Sequence, residues 1–328
     1  YIRILTLFYN SIKISLDFII LVLLFYEVTR MKKTLKRSLS LLLAITIIFS
    51  SAYVGLSEVD FDGLFAVKAK AATSGTTGDC TWSLDGTVLT ISGNGKMGDY
   101  SNANYYKNPA PWGTSITEVI IEDSVTSVGR EAFCDCDKLT SITIPDSVTS
   151  IGNSAFSGCS SLRYVTIGNG VTSIGERAFA YCRKLSSVTI GNSVKSIGEG
   201  AFYQCNGLTR INWNAKNVSE NTDFSKVFDN AGNSGSGIKV VFGDTVERIP
   251  ARLFYVEDGL SFVTSVTIGK NVKSIGSYAF CECTYLTSIT IPDSVTGIGY
   301  KAFYYTGYYN DSSNWQNKVL YIGNHLIE

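Results

Sequence analysis

The chain has 328 residues with 28 basic and 28 acidic side chains, so its formal net charge is zero. It lacks the basic footprint that nucleic-acid binding needs, and no nucleic-acid partner is expected. Its single histidine, His325, lies three residues from the last position, which leaves a His-based triad, a His-rich metal site or a Cys-His site poorly supported.

The chain opens on Tyr1 rather than Met. Residues 1–30 are therefore expected to be an upstream extension that is not translated. Their apolar run, Phe18 to Tyr26, is shorter than the roughly 20 residues a bilayer span needs. Met31-Lys-Lys-Thr-Leu-Lys-Arg37 reads as the basic start of a secretory signal, and the uncharged run Ser38 to Ser57 reads as its apolar region. Ala69-Lys70-Ala71 is a cleavage candidate, and Ser50-Ser51-Ala52 an earlier one. Residues 31–72 are thus expected to be a signal peptide; an uncleaved anchor and a buried helix are the alternatives. Residues 1–72 carry 9 of the basic and 5 of the acidic residues, so the remainder is net acidic by about four charges. That remainder is expected to be secreted or held at the cell surface, without a membrane span.

Residues 73–115 do not repeat. Thr81-Trp82-Ser83-Leu84, Asp85-Gly86 and Val88-Leu89-Thr90-Ile91 read as a β-hairpin. A solenoid end exposes core unless it is capped, and this segment is expected to be the N-terminal cap. Tyr100 to Trp112 is expected to link it to Ile116.

Residues 116–310 repeat. Phe133, Phe156, Phe179 and Phe202 lie 23 residues apart; Phe228, Phe254 and Phe280 follow at 26, and Phe303 at 23. Most have Ala immediately before them, and Val128, Ile151, Ile174 and Ile197 stand five positions back. Cys136, Cys159, Cys182, Cys205 and Cys283 stand three positions after their Phe. Each coil begins with a β-type run such as Leu139-Thr-Ser-Ile142-Thr-Ile144, in which Ile142 and Ile144 point to one side and Ser141 and Thr143 to the other. Pro145-Asp146 or Gly168-Asn169 then turns the chain, and Gly152 is expected to give a positive-φ corner. A fixed period of this size signals a solenoid whose repeats fold only against one another. The poorest repeat is that of Phe228, with Asp223 where an aliphatic residue belongs, and Asn212 to Gly237 is expected to bulge. Residues 311–328 read as the start of a further β-like unit, cut short.

The repeat resembles the BspA-like leucine-rich repeats of bacterial surface proteins: Leu, two residues, Ile, one residue, Ile, then Pro or Gly, Asp or Asn, and later Val, Ile-Gly and Ala-Phe with Cys three positions on. The resemblance covers about eight coils of 23–26 residues. It implies a right-handed leucine-rich-repeat solenoid, β-rich, with a parallel sheet on one face. It also implies an interaction protein that adheres to host or bacterial surface proteins or glycans.

Candidate chemistry is sparse. The cysteine column reads as buried, reduced thiols; disulfides between adjacent coils and a metal site are the alternatives. Cys134 and Cys281 are expected to be exposed. Asp123, Asp146, Asn169, Asn192, Asp244 and Asp293 form a second column, read as turn chemistry against the alternative of a calcium ladder. The outward strand residues include Ser141, Thr143, Tyr164, Thr166, Ser187, Thr189, Arg210, Asn212, Ser265, Thr267, Ser288 and Thr290. They make a hydroxyl-rich face on which Tyr164 and Arg210 are the only large groups. The binding residues expected are Tyr164, Arg210, Thr143, Thr166 and Thr189 on that face, with Tyr304 and Tyr305 at the aromatic C-terminal end. Tyr105-Tyr106 and Tyr308-Tyr309 are further aromatic candidates. No metal, cofactor or catalytic residue is expected. The function read from the sequence is a non-catalytic surface binding module; the alternative is the binding region of a larger exported enzyme whose catalytic domain lies beyond residue 328.

Overall fold

The computed structural model describes residues 73–101, 109–216, 218–219, 224, 226–235, 237–256 and 261–327. The upstream extension, the signal peptide, Tyr105-Tyr106 and Asp223 lie outside the described residues. The described residues between 73 and 327 form a β-solenoid. Six strands, Ser141–Ile144, Tyr164–Ile167, Ser187–Ile190, Arg210–Trp213, Ile238–Phe242 and Val263–Thr267, stand side by side in one parallel sheet. Ile142 pairs with Val165, Val165 with Val188, Val188 with Ile211, Ile211 with Val240 and Val240 with Val266. The same repeat position thus meets itself in the next coil, and the alternation that buries Ile142 and Ile144 exposes Ser141 and Thr143.

The expected sheet is joined by a second line of short parallel strands. Val125–Val128, Ser150–Ile151, Ser173–Ile174 and Ser196–Ile197 pair in sequence, and Arg248–Ile249, Ser274–Ile275 and Gly297–Ile298 do the same further along. The Ala-Phe segment that closes each coil is a chain of turns. The helix among the described residues is confined to Gly307–Asn310 and a single 3-10 turn at Ser312–Asn314.

The core is a column of aromatic rings. Phe133, Phe156, Phe179, Phe202, Phe228, Phe254, Phe280 and Phe303 stack with centroids 5.0–5.9 Å apart. Phe156 and Phe179 are within 1° of parallel. Phe228, the poorest match in sequence, sits in the column like the others, 5.2 Å from Phe202 and 5.4 Å from Phe254. Phe224, buried edge-on against Trp213, supplies apolar volume in this irregular coil.

The glycine of each Ile-Gly pair works by size rather than by φ, contrary to the expectation for Gly152. It does not have a positive φ. A Cβ on Gly152 would stand 2.5 Å from the Arg130 nitrogen of the preceding coil, and one on Gly175 would stand 2.6 Å from the Asn153 nitrogen. Left-handed backbone occurs elsewhere, two residues before and two after the core Phe, and mostly on residues other than glycine: Glu131 and Asp135, Arg177 and Tyr181, Tyr278 and Glu282, Lys301 and Tyr305, with φ of 51–61°. The alternation aims every second N–H along the solenoid axis. Glu131, Phe133 and Asp135 donate to the carbonyls of Asn153, Ala155 and Ser157 in the next coil at 2.7–3.0 Å. These hydrogen bonds offset a conformation that costs an L-residue roughly 1–2 kcal/mol.

The N-terminal cap is an extension of the coil pattern. Cys80–Asp85 and Val88–Gly93 form the hairpin, and Val88–Gly93 then pairs in parallel with Glu118–Ile121 of the first coil. Gly95–Lys96 continues the second line of strands by pairing with Val125–Val128. Tyr100 and Trp112, expected in a linker, are core residues. The Tyr100 hydroxyl bonds Thr77, the Trp112 indole donates to the Ala132 carbonyl at 3.0 Å, and Trp112 stacks on Phe133 to end the ring column. At the other end Trp315–Gln316, Val319–Ile322 and His325–Leu326 form a small antiparallel meander. His325 is half-buried and pairs with Ile322.

Candidate functional site

The solvent face of the six-stranded sheet carries two transverse rows. The first reads Ser141, Tyr164, Ser187, Arg210, Lys239 and Ser265; the second reads Thr143, Thr166, Thr189, Asn212, Val241 and Thr267. Tyr164 is 58% exposed, because a side chain opposite small serines on both sides has no neighbour tall enough to cover it. Arg210 donates from Nε to Asn212 Oδ1 at 3.0 Å, and Asn212 donates to Thr189 Oγ1 at 3.2 Å. Arg210 is thereby held flat against the threonine row. Tyr164 and Arg210 are two strands apart, about 10 Å at the usual strand spacing.

Lys239, directly beside Arg210, was not among the expected face residues. Its strand follows the irregular stretch from Asn212 to Gly237, where the 23-residue count fails. The alternating burial of Ile238-Lys239-Val240-Val241-Phe242 is the signal that places it. Ser288 and Thr290 were expected on the face and remain exposed, but their coil forms no ladder strand and the sheet ends at Val263–Thr267.

The expected aromatic residues form a separate surface. Tyr304 and Tyr305 belong to the turn after Phe303, with ring centroids 4.0 Å apart. Lys301 Nζ sits 4.3 Å from the Tyr304 centroid, and Tyr309 bridges from this pair to Trp315. Tyr305 is half-exposed. The structure therefore does not join Tyr304 and Tyr305 to the sheet-face group.

All eight cysteines are thiols. Cys159, Cys182 and Cys205 each donate Sγ–H to the carbonyl of the preceding coil's Phe at 3.2 Å. Burial raises these thiols above their ordinary titration range, and it raises Cys283 to about 12. Cys281, expected to be exposed, is buried, and desolvation raises its thiol to about 11. Cys134, half-exposed, differs from it. In the Asx column, Asp146 Oδ1 accepts from the Asn169 N–H at 2.6 Å and Asn169 Oδ1 from the Asn192 N–H at 3.3 Å. The carboxylate and amide oxygens are used to tie one turn to the next. Among the described residues no cluster of His, Cys, Asp or Glu could hold a metal ion, and no helix is long and apolar enough to cross a membrane.

Stacked coils, parallel strands and a repeating Phe-Cys core define a leucine-rich-repeat solenoid with a broad, solvated sheet face. The family described as the BspA type leucine rich repeat region matches residues 110–230 and 247–328 in six copies, and the chain belongs to that family. No curated protein sequence matches it. Among solved structures it is similar to a leucine rich cell surface protein from Faecalibacterium prausnitzii, with 25% identity over 77% of this chain and 59% of that one and a TM-score of 0.34. It is also similar to the leucine rich repeat protein of T. pallidum, with 20% identity over 68% of this chain and 84% of that one and a TM-score of 0.39. A third is the pneumococcal vaccine antigen PcpA, with 15% identity over 70% of this chain and 78% of that one and a TM-score of 0.32. The chain thus spans 59% of the length of the Faecalibacterium protein.

Proposed function

We propose that residues 73–327 are a non-catalytic binding domain of an exported surface protein, and that the domain adheres to other surface proteins through its six-stranded sheet. The carrying observation is the row Tyr164, Ser187, Arg210 and Lys239. It sets one exposed ring and two neighbouring cations on a flat floor of hydroxyl groups. Tyrosine and arginine supply contact area and multiple donors at interfaces. A flat face without a deep pocket binds weakly per copy, so retention grows when many copies are displayed together. The family membership supports a binding role, as does a core whose thiols are too buried to act as nucleophiles.

Beads coated with the protein should retain extracellular surface proteins better than the free chain does. Replacing Tyr164 and Arg210 together by Ala should reduce that retention and leave the melting curve nearly unchanged, since both side chains are outside the core. Undiminished retention by the double variant rejects the sheet-face reading. Reproducible hydrolysis of a glycan or peptide by the purified chain rejects the non-catalytic one.

A further inference from the structure

A second surface lies along the turns that join the long strands to the short ones. In regular coils three residues separate the last long-strand residue from the buried valine, as from Ile190 to Val194 and from Phe242 to Val246. Between Trp213 and Val218 there are four. A cleft of about 410 Å³ lies beside the described part of this turn, lined by Thr172, Asn192, Ser193, Lys195, Lys216 and Thr245. The volume falls within the roughly 300–1,000 Å³ range of small-molecule sites. The lining residues are all polar or charged types, with threonine methyls and lysine stems between their polar atoms.

The hydrogen bonds already made decide what the cleft can still offer. Thr172 Oγ1 donates its proton to the Thr149 carbonyl at 3.0 Å, Thr245 Oγ1 to the Asn214 carbonyl at 2.7 Å, and Ser193 Oγ to Asn192 Oδ1 at 3.1 Å. With their protons engaged, the three hydroxyl oxygens present lone pairs to a ligand. The Asn192 amide oxygen is taken by Ser193, which leaves its NH2 group as a donor. Lys216 spends part of its donor capacity on Glu247, at 3.0 Å. Among the described residues Lys195 enters no ion pair. The cleft therefore combines cationic and amide donors with a set of hydroxyl acceptors. Its complement is a molecule with an anionic oxygen and several hydroxyl groups.

We propose that this cleft binds a carboxylate-bearing sugar unit, with Lys195 and Lys216 facing the carboxylate and Thr172, Ser193 and Thr245 accepting from the sugar hydroxyls. The site is independent of the sheet face.

Ligand-observed NMR with a glucuronic-acid disaccharide, run beside its methyl ester and an acidic peptide, tests the assignment on the full expressed chain. The acid should bind about tenfold more tightly than the ester, the effect of one charge-assisted hydrogen bond. Lys195→Met should remove that preference, Lys195→Arg should keep it, and the Tyr164→Ala, Arg210→Ala pair should leave it unchanged. Matching melting curves confirm that each variant is folded. Equal binding of acid and ester, an unaltered preference in Lys195→Met, tighter binding of the peptide than of the sugar acid, or no binding of the sugar acid would each overturn the assignment. If the sheet-face pair lowers both protein retention and sugar binding, the two sites are not independent and the assignment likewise fails.

Discussion

Raising the pH should unfold this protein through its cysteine column. Cys136, Cys159, Cys182, Cys205 and Cys283 are all at most 1% exposed. In the native state burial raises each thiol above the ordinary value of 9.0. In the unfolded chain the same thiols ionise near that value. A group whose folded pKa is raised stabilises the native state fully below the unfolded pKa. That contribution falls away as pH climbs from 9 toward the folded value, which for Cys283 is about 12. Between about pH 8 and about pH 10 a thiol that stays neutral in the native state costs on the order of 1 kcal/mol of unfolding free energy. Several such thiols together would cost a few kcal/mol, a sizeable share of the whole stability of many domains. Urea unfolding followed by tryptophan fluorescence under reductant, at pH values across that interval, reads the loss directly. A variant with Cys159, Cys182 and Cys205 changed to Ala starts less stable but should lose distinctly less over the same interval. If parent and variant lose the same amount, the thiols are not the titrating groups and the reasoning fails.

Phe156→Ala and Phe179→Ala should each cost about 3–5 kcal/mol, and Phe228→Ala should fall in the same range because its ring is stacked on both sides; denaturant midpoints give the ranking. Native-state alkylation followed by mass spectrometry should label Cys134 first and leave Cys159, Cys182, Cys205 and Cys281 unlabelled until the chain unfolds. Gly175→Ala should destabilise strongly, since its Cβ would meet the Asn153 backbone. Gly200→Ala should cost only about 1 kcal/mol, since its new Cβ finds ordinary contacts at 3.4 Å and neighbouring coils carry Arg177 or Ser154 at that position. Thermal melts of the two glycine variants separate these outcomes.

The solenoid and its sheet were legible because one period wrote the same inward residues into every coil. Position then fixed pairing, and Ile142 had to meet Val165. The cap was legible only in part. Its hairpin shows the two-residue alternation, but Trp112 stands outside the 23-residue spacing of the phenylalanines, and nothing local indicates that its ring continues the Phe column. The glycine corner was misread for a related reason. A sequence shows that a side chain is missing, whereas the Arg130 backbone that excludes it lies 22 residues away. Lys239 was missed because the count was interrupted before its strand. Tyr164, Arg210 and the threonines were legible because outward alternation needs no knowledge of the neighbouring coil. That Arg210 lies flat on Asn212 depends on side-chain contacts that alternation does not encode.

The hydrogen bonds between coils run along the solenoid axis, which also fixes how the protein carries load. Force applied between its two ends acts along those bonds and opens them a coil at a time, rather than shearing many at once. Each coil that peels away exposes a fresh end ring of the Phe column and releases 23 residues of chain, roughly 80 Å when extended. A tethered copy under flow would lengthen in such steps while the coils still folded kept their sheet face intact.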